Sequence, residues 1–316
     1  MDRHAVVFAL LSLLSGFASQ AGSLSGKADQ AKTRNEVFVE GSDGWRFLPA
    51  ELRFVDKLTS PDLMTEVQPA VEAITDFSEQ LKQAGVALVV VPVPPKVLVN
   101  AVKLQVSSSE EQKMREGWAG IMNDLSTRGV DMIDLLGDYT AAREPMFCQR
   151  DTHWSGPGIA AAVARLTPLL QASGINIGAA ANDKPWVEAS INGDLGGGPE
   201  KVRLRFANAL AAQKAKAPVL LLGDSHVLVF HQGGDLHTTG AGLPEQLAEV
   251  LDGMPEVLGV RGSGATSSRM TLARTIRSKP DYLTDKKLVV WVFAGREFTE
   301  ADGWKKFPVT PTKAAR

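Results

Sequence analysis

The chain has 316 residues, of which 44% are apolar and 22% charged, so it can bury a large core and is too apolar to remain disordered. A formal net charge of -2 supplies no overall basic field, and nucleic acid is not expected as a partner. A single cysteine, Cys148, cannot close an internal disulfide, which excludes a small disulfide-stapled module.

Met1-Asp2-Arg3-His4 is a short polar start, Ala5 to Ala18 is almost continuously apolar, and Ser19-Gln20-Ala21 puts small residues where a signal peptidase inspects the chain. Residues 1–21 therefore read as a secretory signal peptide and predict a periplasmic protein. The alternative is an uncleaved anchor in the inner membrane, although the apolar run falls short of the ~20 residues that span a bilayer comfortably. Residues 22–36, rich in Gly, Ser, Lys and Gln, read as a flexible linker. Residues 37–307 read as one domain, and 308–316 as a tail that frays.

Within the domain, helical and strand patterns alternate. Helical spacing covers Leu63 to Gln83, and the apolar run Val86 to Val93 predicts a strand buried on both faces. Ser108 and Glu111 have the spacing of a capping box for a helix reaching Thr127. Val130 to Leu136 reads as a strand and Gly158 to Ala172 as a helix. Pro218 to Leu222 reads as a strand, Leu243 to Leu251 as a helix, Glu256 to Val260 as a strand, Ser268 to Ser278 as a helix, and Leu288 to Phe293 as the last strand. This alternation predicts an α/β fold with a mostly parallel sheet and helices on both faces. Ligands then bind at the carboxyl ends of the strands. There is no internal repeat and no zinc-type Cys/His spacing, and neither a metal nor a cofactor is expected.

Gly223-Asp224-Ser225 follows such a strand directly. A serine there exposes its Oγ, and its own N–H can face a developing oxyanion. A plain strand-to-helix turn capped by serine has the same local pattern. A nucleophilic serine needs a base, and the base an orienting carboxylate. Asp151-Thr152-His153-Trp154 supplies both in a loop before a helix, with Trp154 placed to wall the site. A structural helix cap at Asp151 and a hydrogen-bonding His153 remain the alternative. His237, in Asp235-Leu236-His237, is a rival base, and His226 and His231 lie close to the serine in sequence. Cys148 could be a thiol nucleophile but reads better as a buried small hydrophobe.

An ordered set of motifs carries a resemblance. It runs from Gly41-Ser42-Asp43-Gly44-Trp45-Arg46-Phe47 through Val91-Pro92-Val93-Pro94-Pro95-Lys96 and Asp151-Thr152-His153-Trp154 to Gly193-Asp194-Leu195 and Gly223-Asp224-Ser225. Together these resemble the periplasmic alginate O-acetyltransferases, which are SGNH-hydrolase-like proteins. The resemblance implies a three-layer SGNH-like domain with Ser225, His153 and Asp151 as its triad. It also implies transfer of acetyl groups to an exported polysaccharide from a donor supplied by a membrane-bound acyltransferase. The sequence departs from the pattern at His226, where an aromatic or small residue is expected, and lacks the G-x-N-D block that supplies an oxyanion-hole Asn.

Arg261-Gly262-Ser263-Gly264 follows a predicted strand and offers Gly264 and Arg261 as oxyanion or substrate contacts; a plain turn is the alternative. Arg296 is placed to bind an anionic sugar or to pair with Glu297 or Glu300. Trp45 and Trp291 read as core more than as sugar platforms. Gly196-Gly197-Gly198-Pro199 lacks the Lys of a phosphate loop and reads as a plain turn. Asp131 and Asp134 read as strand-edge polar residues. A carbohydrate acetylesterase and a non-enzymatic polysaccharide-binding or assembly protein are the rival functions.

Overall fold

The fold is that of a computed structural model describing residues 22–178, 184–207, 216–251, 253–262, 264–301 and 303–309. The predicted signal peptide, Ser263 and residues 310–316 of the tail lie outside the described residues. The described strands are β1 (Val39–Glu40), β2 (Arg46–Phe47), β3 (Ala87–Val93), β4 (Val187–Asn192), β5 (Pro199–Leu204), β6 (Lys216–Gly223), β7 (Met254–Gly259) and β8 (Leu288–Ala294).

Continuous apolar runs mark β3 and β8 as strands covered on both faces, because such a strand has no side that tolerates polar residues. Every residue of β8 is buried, and so are Leu88 to Val93 of β3. The sheet has the order β3-β8-β6-β7 and is parallel throughout, with Val89 of β3 opposite Val290 of β8, and Val290 in turn opposite Leu221 of β6. Each Val or Leu so buried contributes about 1.5–3 kcal/mol of hydrophobic stabilisation. Parallel strands require crossovers, and the helices that make them cover the faces.

The helix Leu63–Gln83 buries Leu63, Val67, Ala70, Val71, Ile74, Phe77 and Leu81, the one-sided spacing of a surface helix. Phe77 meets Trp291 of β8 edge-on, ring centroids 5.2 Å apart. The helix Ser108–Thr127 starts at a true capping box, one residue earlier than the predicted pair: Ser107 caps it and Glu110 reaches back. The helix Gly156–Ala172 is capped by Ser155, and Leu243–Val250 and Ala265–Ser278 complete the covering layers.

Three expectations are corrected. The stretch 22–36 is not a linker: Leu24–Thr33 is a helix capped by Ser23, and Leu24, Ala28 and Ala31 are buried. Small apolar residues at helical spacing were masked there by polar neighbours. The predicted strand Val130–Leu136 shrinks to one parallel bridge, Met132 opposite Val90, and a helix takes over at Leu136–Ala141. Asp134 ends the extended segment by accepting from the Leu136 N–H (2.9 Å) and the Trp118 indole (3.0 Å). The first tail residues do not fray, since Val309 is buried and its N–H donates to Gln80 Oε1 at 2.7 Å. The sequence also gave no warning of the antiparallel hairpin β4–β5.

Gly223 ends β6 in close contact with β8 and the turn that follows. A Cβ there would stand 2.2 Å from the Val292 carbonyl oxygen and 2.6 Å from Val227 Cγ2. Gly223→Ala is expected to destabilise the protein by about 1–3 kcal/mol through overpacking, read from denaturant unfolding midpoints.

Candidate active site

The carboxyl ends of the four sheet strands converge, as parallel sheets require. Lys96 lies just past β3, Arg296 past β8, Ser225 past β6 and Arg261 past β7. Ser225 opens the short helical turn Ser225–Leu228, which Asp224 caps by accepting from the His226 N–H at 2.8 Å. The other Asp224 oxygen accepts from the Ala294 N–H at 2.8 Å. The serine turn is thereby pinned to the end of β8. As the first residue of the turn, Ser225 has no intrahelical partner for its N–H, and none occurs among the described residues.

The partner loop closes on itself. Phe147 and Trp154 form an antiparallel bridge, the Cys148 N–H donates to the His153 carbonyl (3.1 Å), and the Ser155 N–H to the Met146 carbonyl (2.9 Å). This holds Asp151 and His153 on a tight turn in which Asp151 Oδ1 accepts from the His153 N–H at 2.9 Å. The same oxygen lies 2.6 Å from His153 Nδ1, and His153 Nε2 lies 2.8 Å from Ser225 Oγ. An ionised Asp151 requires the proton on Nδ1, so Nε2 is left to accept from the serine hydroxyl. The structure thus brings Ser225, His153 and Asp151 into one hydrogen-bonded chain.

Asp151 is fully buried. Burial works against its charge, but hydrogen bonds from His153, His237 and the Asp194 N–H outweigh that and hold the carboxyl well below the usual range. Burial likewise works to lower His153, yet the hydrogen bond and charge of Asp151 win and raise it above its ordinary 6.5. Asp194 carries the loop from outside: its carboxylate accepts from the Thr152 N–H (2.8 Å) and the Thr152 hydroxyl (2.6 Å). Gly193 is required beside it, because a Cβ there would fall 2.1 Å from the Arg150 carbonyl oxygen.

Beneath the loop lies Lys96, completely buried. Its ammonium donates to the carbonyls of Arg46 (2.7 Å), Gln149 (3.0 Å) and Asp151 (2.9 Å). The Glu200 carboxylate accepts the N–H groups of Gln149 (2.6 Å) and Arg150 (2.8 Å). A buried cation and a buried anion therefore clamp the two sides of the same backbone. Burial lowers Lys96 and raises Glu200 from their ordinary values.

Above the triad is an open cleft of about 830 Å³, lined among others by Thr152, His153, Asn192, Ser225, His237 and Arg296. Arg261 and Gly262 also line it, with Arg261 bound to Gln232 Oε1 at 2.9 Å and to Asp235. Two predicted contacts are corrected. Gly264 is not a wall of the cleft: the Glu297 carboxylate occupies the space beside it, 1.4 Å from where a Cβ would stand. Burial pushes that Glu297 carboxyl up to about 7. Trp154 does not wall the cleft either; it is fully buried and its indole donates to the His226 carbonyl at 3.1 Å.

The other sequence candidates separate cleanly. Cys148 is buried against the Trp154 carbonyl (3.6 Å), and burial pushes its thiol well up, so it is no nucleophile. His231 pairs with Glu245 at 2.5 Å, and His226 with Asp224 at 3.0 Å. Trp45 and Trp291 are core residues. His237 is not hydrogen-bonded to the serine but reaches Asp151 Oδ2 at 3.0 Å. Asp151, His153 and Asp194 each bring one ligand atom within 4.8 Å of the others, but both ring nitrogens of His153 are engaged by Asp151 and Ser225. Sequence reasoning gave no role to Glu200 or to Glu51, which accepts from the Lys96 N–H at 3.3 Å. Buried charge beside a backbone turn leaves no periodic signal.

The profile of the SGNH hydrolase-like domain of the acetyltransferase AlgX matches residues 38–295. The chain belongs to this family. Acyl transfer is the activity that membership brings, and the parallel sheet flanked by helices is the SGNH-like fold. No curated protein matches the chain in sequence. Among solved structures it is similar to the O-acetyltransferase domain of Pseudomonas putida AlgJ, with 19% identity, a TM-score of 0.60, and coverage of 84% of this chain and 93% of that one. It is also similar to Pseudomonas aeruginosa AlgX at 17% identity and a TM-score of 0.54, covering 83% of this chain and 67% of that one. Bacillus cereus PatB1 with a sulfonyl adduct matches at 14% identity and a TM-score of 0.51, covering 84% and 96%. At these identities the likeness to solved structures concerns the fold.

Removing the Lys96 ammonium leaves the carbonyls of Gln149 and Asp151 in the triad loop, and that of Arg46 in β2, without this donor. Lys96→Met is expected to cost about 3 kcal/mol or more of stability in chemical denaturation, because buried acceptors are left unsatisfied.

Proposed function

We propose that the protein is an O-acetyltransferase that moves acetyl groups onto hydroxyls of an exported, alginate-like polysaccharide through an acetyl-Ser225 intermediate. The observation that carries this reading is the continuous chain from Ser225 Oγ through His153 to Asp151, at 2.8 and 2.6 Å, opening on a cleft.

In the first half-reaction His153 Nε2 takes the serine proton as Oγ attacks the acetyl carbonyl carbon. The charge that develops on the carbonyl oxygen is met by the Ser225 N–H. Arg296 supplies positive charge on the same cleft wall, and its Nη1 is buried with no hydrogen-bond partner among the described residues. Breakdown expels the leaving group, which takes the proton back from His153. In the second half-reaction a sugar hydroxyl gives its proton to His153 and attacks the acetyl-serine carbonyl. This restores free Ser225 and releases the acetylated sugar.

The apolar N-terminal run supports export to the periplasm. Among the described residues no helix is long and apolar enough to cross a membrane. In this reading the acetyl donor reaches the enzyme through a membrane-bound acyltransferase, as the sequence resemblance implies.

Hydrolysis of p-nitrophenyl acetate by the exported portion of the chain, with and without an oligouronate acceptor, tests the proposal. Ser225→Ala and His153→Ala are each expected to lower turnover about a thousandfold with the fold intact by circular dichroism. Acceptor should divert acetyl from water to sugar, seen as acetylated oligosaccharide by mass spectrometry. Equal turnover in both variants and wild type would sink the triad; release of acetate alone would leave an esterase.

The rate should also depend on pH with a fixed sign. His153 acts as a base only when neutral, and its pKa is raised above 6.5. Initial rates of acetyl-enzyme formation should therefore fall on acidification with a midpoint above 6.5, not below it.

A further inference from the structure

Asp151 uses only one of its oxygens on His153. The other, Oδ2, accepts from the Asp194 N–H at 2.9 Å and faces His237 Nε2 at 3.0 Å. Because the carboxylate can only accept, His237 donates there, so one buried anion holds two imidazoles. His237 sits at φ 71°, ψ −129°, a strained backbone state for a residue that bears a side chain. Phe230, whose ring lies 5.5 Å from His237 at 35°, is also left-handed at φ 58°. Two strained residues persist together only where contacts over-determine them: here the Phe230 N–H donates to the Leu236 carbonyl, the Ala241 N–H to the Phe230 carbonyl and the His237 N–H to the Gly234 carbonyl (3.0 Å each), while the two rings face each other and His237 reaches the Asp151 carboxylate. The Gly234–Leu236 turn that carries His237 lines the same cleft as Ser225.

We propose that His237 is a positioning residue for acyl transfer, holding the second oxygen of Asp151 so that the first is presented to His153. This rests on the acetyl-Ser225 reading above. A donor on Oδ2 fixes the rotation of the carboxylate and takes a share of its charge. Without that donor, Asp151 bears more charge toward His153 and stabilises its protonated form further. The groups facing His153 are Asp151, Asp194 with its nearest oxygen 4.0 Å from Nδ1, the His226 ring at 5.1 Å, Asp224 and Ser225. Those facing His237 are Asp151, Asp235 and the Phe230 ring, with Asp235 itself tied to Arg261. Removing His237 leaves every other member of both sets in place.

His237→Ala removes the donor, and His237→Gln keeps an N–H donor of similar reach. The rate of acetyl transfer from p-nitrophenyl acetate to Ser225 is followed against pH by intact mass, beside wild type and Ser225→Ala. His237→Ala should lower kcat/KM about tenfold, mostly in kcat. It should also move the acid limb of the profile upward by about half a pH unit. His237→Gln should restore both toward wild type. In Ser225→Ala protein, which does not turn over, adding His237→Ala should shift the low-field Nδ1–H proton resonance of His153. Wild type that never acquires acetyl at Ser225 overturns the triad reading and this inference with it. Acetylated wild type with a superimposable His237→Ala profile overturns the inference alone, and so does equal impairment of the Ala and Gln variants.

Discussion

The buried charge of Asp151 is the constraint on which the rest of the site depends. A carboxylate removed from water survives only if its lone pairs are met, and here they are met from three separate segments. His153 comes from the same loop, Asp194 from the β4–β5 connection, and His237 from the turn after the serine. Each segment is positioned by the need to satisfy one anion. That is why residues distant in sequence arrive within hydrogen-bonding distance of one another.

Beneath this anion the fold places a cation. Lys96 follows directly from β3 and binds three carbonyls, including that of Asp151. The nearby charges of Glu51 and Glu200 offset its own, and Glu200 also accepts the N–H groups of the same loop. Burying these ions is costly in itself. What it secures is a loop that cannot rotate its peptide groups without stranding a charge, and hence a histidine aimed at one hydroxyl.

The sheet supplies the other half of the geometry. Parallel strands put all their carboxyl ends on one side, so Ser225 and Arg296 emerge next to each other from β6 and β8. Asp224 then ties them together by capping the serine turn and accepting from Ala294. Ser225 rests at the centre of the sheet, while the cleft above is walled by the hairpin β4–β5 and the Gly234–Leu236 turn. The serine is thus held by the core, while the loops that frame the cleft bring Asp194 and His237 to Asp151.

The sequence by itself determined β3 and β8, since Val86–Val93 and Leu288–Phe293 are apolar at every step and only a doubly covered strand accepts that. It also named Ser225, His153 and Asp151, because each lies in a short motif whose residue types are tied to their chemistry. Where the information was non-local, reading residues one segment at a time failed. The hairpin β4–β5 has an alternating pattern too weak to distinguish from loop, and the helix at residues 24–33 buries only Leu24, Ala28 and Ala31, a face that its polar neighbours obscure. Trp154 and Gly264 sit beside site residues in sequence yet face the core and Glu297, since direction depends on the packing of remote elements. His237 was read as a rival to His153; only the folded chain brings both to the same carboxylate. A carboxylate has two oxygens that can be approached from opposite sides, and which partners reach them is decided by tertiary structure.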